Sequence, residues 1–301
     1  MTLRILTEAS GSLVIGYLIK AIQEAGHISV ASDIDSHCVG RYLADDFVLM
    51  PSKNDPHLWQ KISQILVESK VDFVIPSFDE TLLGWAERKH HFSKLGITVA
   101  ISEPDVIKTF VDKWLTFQFL IENSIPTPRT SLVQDFPLVK PRYGHGGQGV
   151  YIPGKPIAMD GLLSQEIAEG EEYTVDVFCD GKSNPLYIVP RKRISVRDGK
   201  STQGVVVYHK EIIEMVTRLC KAAGFIGPIN VQCFSSGANE VSVIEVNPRI
   251  AGGMALGFAA TENWISLLCD CLLSDKIVQP KPVKYGLQMM RYYAELFVPT
   301  N

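Results

Sequence analysis

Asn230-Val231-Gln232 and, thirteen residues past that glutamine, Glu245-Val246-Asn247-Pro248-Arg249 decide the reading of this chain. Both pieces look like strands, in which alternate side chains point the same way. Glu245, Asn247 and Arg249 then share one face, with Asn230 and Gln232 on one face of the neighbouring strand. Ile244, Val246, Val231 and Cys233 fill the opposite, apolar side. One carboxylate and two amide oxygens, with an arginine at the rim, suit a hard cation facing a phosphate. An ordinary polar hairpin would account for Asn-x-Gln alone. It does not account for Pro248 ending the strand where Arg249 must turn back, or for Gly252-Gly253 behind, where backbone can approach closely.

Upstream, Lys140-Pro141-Arg142-Tyr143-Gly144-His145-Gly146-Gly147-Gln148-Gly149 puts a lysine at a strand end before a loop with four glycines. Backbone amides of such a loop can approach phosphate oxygens, and the lysine adds a point charge. The string contains G-x-G-x-x-G, but strand-like residues follow it, so it fails the context of a dinucleotide fingerprint. The chain has no GxxxxGK[ST], and no HRD or DFG of a protein kinase. A hairpin lid over phosphates remains. A third segment, Gln165 to Asp176, is extended at Glu166-Ile167, where backbone can meet an adenine edge. Gly170 allows a tight turn, and Glu172 can accept from ribose hydroxyls.

The first third reads differently. Residues 3–7, 28–32, 71–75 and 96–101 are apolar strands, separated by helical stretches at about 12–24, 57–69 and 80–93. Alternating strands and helices predict a parallel α/β sheet. Its first turn, Glu8 to Ser12, lacks phosphate-binding glycines, so Asp33 and Asp35 are weak as a ribose site. Asp79 and Glu80 follow the third strand and read as a helix cap or as part of a substrate pocket. A helix from about Pro104 to Asn123 leads to Ile125-Pro126-Thr127-Pro128, after which short strands predict a mixed, largely antiparallel region. Further on come helical stretches at 209–223 and 254–273 and a strand near Gln288–Tyr292. The expected division is 1–110 and 111–301, the latter with a small lobe at 111–178 and a large lobe at 179–301.

The 301 residues are 46% hydrophobic with a net charge of −4. That balance carries no basic footprint for nucleic acid or an anionic membrane. No apolar run approaches the roughly 18 residues of a membrane span. The six cysteines lack a CxxC and read as core thiols of a reducing compartment, so a cytoplasmic protein is expected. Arg191-Lys192-Arg193, with Arg197 and Lys200, reads as a solvated face or as an anion contact, with Arg193 the preferred residue.

In their order, Asp112-Lys113, Leu138 to Tyr143 with its glycines, Glu166 to Asp176, Asn230-x-Gln232 and Glu245 to Arg249 resemble the ATP-grasp superfamily of carboxylate–amine ligases. The likeness is greatest to one synthetase half of the carbamoyl-phosphate synthase large chain. It implies an α/β domain before an α+β ATP-grasp domain of two lobes with ATP between them. On this resemblance Lys113 and Lys140 contact the nucleotide, Gly146, Gly147 and Gly149 form the lid, Glu166 and the Ile167 backbone meet adenine, and Glu172 meets ribose. Gln232, Glu245 and Asn247 hold Mg2+ or Mn2+. Arg249, Asn230 and Arg193 stabilise the reacting groups.

The implied reaction activates a small carboxylate as an acyl phosphate and joins it to an amine. A homodimer is the family expectation. The chain has one synthetase-like unit and no amidotransferase domain, which argues against carbamoyl phosphate as product. The alternatives are a bicarbonate-using subunit with a partner chain and a catalytically silent nucleotide-binding regulator.

Overall fold

The structure is a computed structural model and describes residues 1–298 other than 13, 145, 198–199, 238–239 and 275. Of the residues named above, His145 and the side chains of Arg197 and Lys200 lie outside that set.

Strands β1 (Arg4–Thr7), β2 (Ile28–Asp33), β3 (Asp46–Leu49), β4 (Phe73–Ile75) and β5 (Thr98–Val99) form a parallel sheet in the order β3-β2-β1-β4-β5. Helices α1 (Gly16–Glu24), α2 (Gly40–Leu43), α3 (Leu58–Glu68) and α4 (Leu82–Lys94) connect them. The expected α/β arrangement is present, with one strand more than the sequence pattern indicates. β3 is an edge strand burying only Val48, so it lacks an apolar run. Asp33 accepts from the Gly11 and Asp35 amides and so caps local turns.

The predicted helix over 104–123 is two helices, α5 (Pro104–Val111) and α6 (Lys113–Glu122). Asp112 separates them: its backbone is extended and its carboxylate caps the Trp114 amide at 2.8 Å, the usual work of an acidic N-cap. Arg142 and Tyr143 also donate to this carboxylate. Burial acts to raise its pKa, but these donors together hold it below the ordinary range. The break sets Lys113 at the start of α6, beside the glycine loop.

Beyond it, β6 (Thr130–Ser131), β7 (Leu138–Pro141) and β8 (Leu162–Gln165) make a three-stranded antiparallel sheet. The larger sheet contains β9 (Glu171–Cys179), β10 (Pro185–Arg197), β11 (Lys200–Val206), β12 (Gly227–Ser235), β13 (Val241–Asn247) and β14 (Gln288–Met290), in the order β13-β12-β9-β10-β11-β14. Residues 171–178, read above with the small lobe, therefore pair in the centre of the larger sheet. Helix α7 (Lys210–Ala223) covers one face of it, burying Ile212, Met215, Val216 and Leu219. The stretch 254–273 is broken into α8 (Ala255–Ala260) and α9 (Trp264–Leu273), with Asn263 capping the second. Among the described residues no single helix is long and apolar enough to cross a membrane. The bent pair of α8 and α9, with the turn before it, contributes Met254, Leu256, Trp264 and Leu268 to the core.

One apolar cluster joins the two sheets. Ile5, Ile15, Leu18 and Ile22 of the first region pack in the same core as Phe178, Val189, Ile250 and Trp264. Tyr17 donates to the Ala251 carbonyl at 2.8 Å, and Asn263 donates to that of Ala21 at the same distance. The carboxyl ends of β1 and β4 are thereby fixed against the polar face of the large sheet. That junction positions the site.

Candidate active site

The β12–β13 hairpin pairs Asn230 with Asn247 and Gln232 with Glu245, as strand alternation requires. The next pair is Cys233 with Val243, so Ile244 is the extra residue of a bulge. This corrects the sequence reading of Ile244 as part of the apolar face. Val231, Cys233, Val243 and Val246 fill the core, while Ile244 borders the cleft and its carbonyl lies 3.5 Å from Lys140 Nζ. On the other side of β12, β9 brings Asp176 opposite Asn230 and Glu172 opposite Phe234. A row of polar residues thus crosses adjacent strands on one face.

Each charge in this row has a defined environment. Asp176, fully buried, accepts from Arg191 Nε at 2.9 Å, Arg191 Nη2 at 3.2 Å and Asn230 Nδ2 at 2.8 Å. Arg193 pairs with Glu172 at 2.7 Å. Lys113 Nζ sits 3.1 Å from Glu245 and donates to the Gly144 carbonyl at 2.6 Å. Lys140 is 6% exposed and donates to Gln165 Oε1 at 2.8 Å. Burial pushes its ammonium down to about 8, against the pull of Glu245 and with help from Lys113. Glu166 is held by Arg129, whose Nε, Nη2 and backbone amide all donate to it. Ile167 and Ala168 continue along the cleft wall.

Two cavities meet here. One, of about 410 Å³, lies between the small and large sheets and takes in Lys140, Gln165, Ile167 and Glu172. The other, of about 590 Å³, lies between the large sheet and the carboxyl ends of β1 and β4, and takes in Asn230, Asn247 and Arg249. Arg193, Gln232 and Glu245 line both, beneath Gly146 and Gln148. Gly147 borders only the smaller cavity. Gly149 instead borders a third cleft with Lys113 and Pro141. Its φ is +71°, and a Cβ there would lie 2.9 Å from Pro141 Cγ, so glycine is required. All fourteen residues predicted for the site line one of these adjoining spaces.

Other side chains at the site were left undecided or unnamed by the sequence. Asp79, left between helix cap and pocket, grips Arg249 through two bonds of 2.6 and 2.7 Å. Its position past a strand's carboxyl end was the available signal. Glu8 accepts from the Ser77 and Phe78 amides, the Thr81 hydroxyl and the Trp85 indole, fixing the loop that carries Asp79. Burial raises its pKa, and these four donors oppose that rise. Arg291, which reaches the larger cavity from the far end of the chain, had no local signal at all.

Residues 158–294 match a family model described as ATP-grasp in the biosynthetic pathway with Ter operon, and residues 7–100 match the PylC-like N-terminal domain. The chain thus carries an ATP-grasp domain behind a PylC-like α/β region. Solved structures with the same fold include N5-carboxyaminoimidazole synthetase from Staphylococcus aureus, complexed with ADP (TM-score 0.74, 16% identity, 96% of this chain and 82% of that one). A second is the biotin carboxylase domain dimer of Hydrogenobacter thermophilus 2-oxoglutarate carboxylase, complexed with MgADP, ADP and bicarbonate (TM-score 0.73, 16% identity, 96% and 73%). A third is L-amino acid ligase from Bacillus licheniformis (TM-score 0.69, 16% identity, 93% and 75%). In this ATP-grasp chain the smaller cavity lies between the two antiparallel sheets, and the larger one adjoins the N-terminal region.

Proposed function

We propose that this ATP-grasp chain is an ATP-dependent carboxylate–amine ligase. The observation that carries the reading is the junction of the two cavities. One carboxylate, Glu245, and one amide, Gln232, line both there, with the Asn247 amide next to Glu245 on the larger cavity's side and the Lys113 and Lys140 ammoniums on the smaller one's. This donor set is all oxygen, as Mg2+ or Mn2+ requires. Among the described residues no cluster of three His, Cys, Asp or Glu side chains offers a rival metal site. When bound, the cation supplies charge neutralisation at the phosphates.

In this reading the nucleotide base lies along Ile167, Glu172 holds the ribose, and Lys113 and Lys140 face the phosphates. A substrate carboxylate oxygen attacks the γ-phosphorus and ADP leaves. The amine then attacks the acyl carbon and phosphate leaves. Arg249, clamped by Asp79, and Arg193 stabilise the negative charge of both steps, as preorganised donors do. Asn230 acts by holding Asp176. The Gly146–Gly147 lid keeps water from the acyl phosphate.

The test is ADP release from MgATP with pooled small carboxylates and amines, with hydroxylamine as the trap. Acid-dependent ADP release and a hydroxamate are expected. ADP release independent of any acid would remove the ligation step, and nucleotide binding without turnover would favour the regulatory alternative. The second reading, bicarbonate as the acid with a partner chain, draws on the neighbour that holds bicarbonate. Turnover with bicarbonate that rises with ammonia would support it. The same neighbour is a domain dimer, and a homodimer is proposed for this chain.

Lys140 gives the reaction a pH dependence. Its pKa near 8 lies below the ordinary lysine value of about 10.4. It is charged at pH 7 and increasingly neutral above 8, so MgATP affinity should fall by up to about tenfold between pH 7 and 9. Lys140→Arg should remove that slope. An affinity constant over this range would place the phosphates elsewhere. For stability the sign is opposite: the unfolded chain binds the extra proton between pH 8 and 10.4, so this group adds stability as pH rises there.

A further inference from the structure

The larger cavity has a charge that the reaction above does not use. Its reacting end is at Glu245 and Asn247. Elsewhere its wall carries Arg191, Arg291, Tyr17 and the Gly252–Gly253 backbone. Arg191 is 3% exposed; Nε and Nη2 are bound to Asp176, while Nη1 is buried with no hydrogen-bond partner among the described residues. Leaving a buried donor unpaired is costly, and such groups usually have a partner. Gly253 packs on this guanidinium so closely that a Cβ would lie 2.2 Å from Nη2.

Arg291 donates from Nε to the Ser201 carbonyl at 3.0 Å and from Nη2 to the Gly252 carbonyl. Among the described residues no carboxylate pairs with it. Burial lowers its pKa, and repulsion from Arg191 adds to this, against the opposing effect of Tyr17. The nearby carboxylates are committed: Asp176 to Arg191 and Asn230, Asp79 to Arg249, and Glu8 to its four donors. Two guanidinium groups therefore stand beside one carboxylate, which leaves this wall one positive charge in excess, with one buried N–H of Arg191 unpaired. A planar carboxylate matches that chemistry.

We infer that this wall is a carboxylate anchor formed by Arg191 and Arg291, and that the molecule reacting at the Glu245 end carries a second carboxylate that does not react. The inference deepens the ligase reading and rests on it for which end reacts. The anchored molecule is either a dicarboxylic acid, held by the group that is not phosphorylated, or an amino acid whose amine is the nucleophile and whose carboxylate is held.

The test is equilibrium binding to the full chain with MgADP present, by calorimetry. Succinate and glutarate are compared with succinamate and glutaramate, and a set of L-amino acids with their amides. At least one carboxylate ligand is expected to bind tenfold or more tightly than its amide. Arg291→Gln should abolish that preference while leaving MgADP affinity unchanged, and Arg291→Lys should restore part of it. A preference confined to the dicarboxylates identifies an anchored acid; one confined to the amino acids identifies an anchored amine. Equal binding of acids and amides, no saturable binding of any of them, or a preference that survives in Arg291→Gln would overturn the anchor. Because binding is read without turnover, a confirmed anchor with no acid-dependent ADP release would sink the ligase reading alone.

Discussion

Glu245→Gln is expected to lower acid-dependent ADP release by about 10²–10³-fold, the scale on which a single electrostatic catalytic group is lost. Three effects act together. The proposed cation loses its only carboxylate among Gln232, Glu245 and Asn247. Lys113, 3.1 Å away, loses its ion-pair partner. Lys140 loses the anion that holds its pKa up against burial, so its value falls below about 8 and less of it is charged at neutral pH. The remaining activity should therefore decline at a lower pH than in the unsubstituted protein, which simple loss of metal affinity would not produce. Folding should survive, because Glu245 lies on the cleft face while Val243 and Val246 keep the core behind it. A thermal midpoint close to the parent's, with the loss of turnover, is the expected pair of results. Turnover within a few-fold of the parent would exclude Glu245 from the chemistry.

The hairpin carrying Glu245 was legible in the sequence because strand alternation has a period of two, and Asn230, Gln232, Glu245 and Asn247 obey it. Ile244 did not, because a bulge depends on how two strands pair and leaves no mark on either alone. The α/β character of the first region followed from its alternating apolar runs. β3 was missed because an edge strand with one buried residue has no such run. The break at Asp112 lay in a stretch that is apolar enough for one helix, and only the cap geometry ends it.

At the site, Lys140, Lys113 and the glycines stand in local motifs and could be read. What charges do to one another could not. Arg193 was singled out from Arg191-Lys192-Arg193 as an anion contact. In the folded chain it lines both cavities while paired with Glu172, and its neighbour Arg191, not singled out, is buried with a donor to spare. Asp79 and Arg249 are 170 residues apart, and Arg291 enters from beyond the last helix. Those contacts belong to tertiary packing alone.

The second large effect concerns stability. Asp176→Ala should cost about 3–5 kcal/mol, because it strands Arg191, 3% exposed, without its counter-charge. The same change removes the acceptor that orients Asn230. For a chain of this size, the loss corresponds to a fall in melting midpoint on the order of 10 °C. Asp176→Asn keeps the volume and one acceptor oxygen but not the charge, and should fall between the two. The companion variant decides the cause. Replacing both partners, Asp176→Leu with Arg191→Met, removes the uncompensated charge along with the pair, and buried ion pairs replaced in this way often lose little stability. Recovery of most of the midpoint in the double variant would show that the penalty in Asp176→Ala is a stranded guanidinium. No recovery would mean that the hydrogen bonds to Arg191 and Asn230 are themselves what holds β9, β10 and β12 together. In either case the double variant lacks the Arg191 donor at the larger cavity, so its nucleotide binding should persist while acid-dependent turnover falls. A pair that is thermodynamically replaceable and functionally necessary is the signature expected of charge buried for positioning, and a fully active, equally stable double variant would rule that role out.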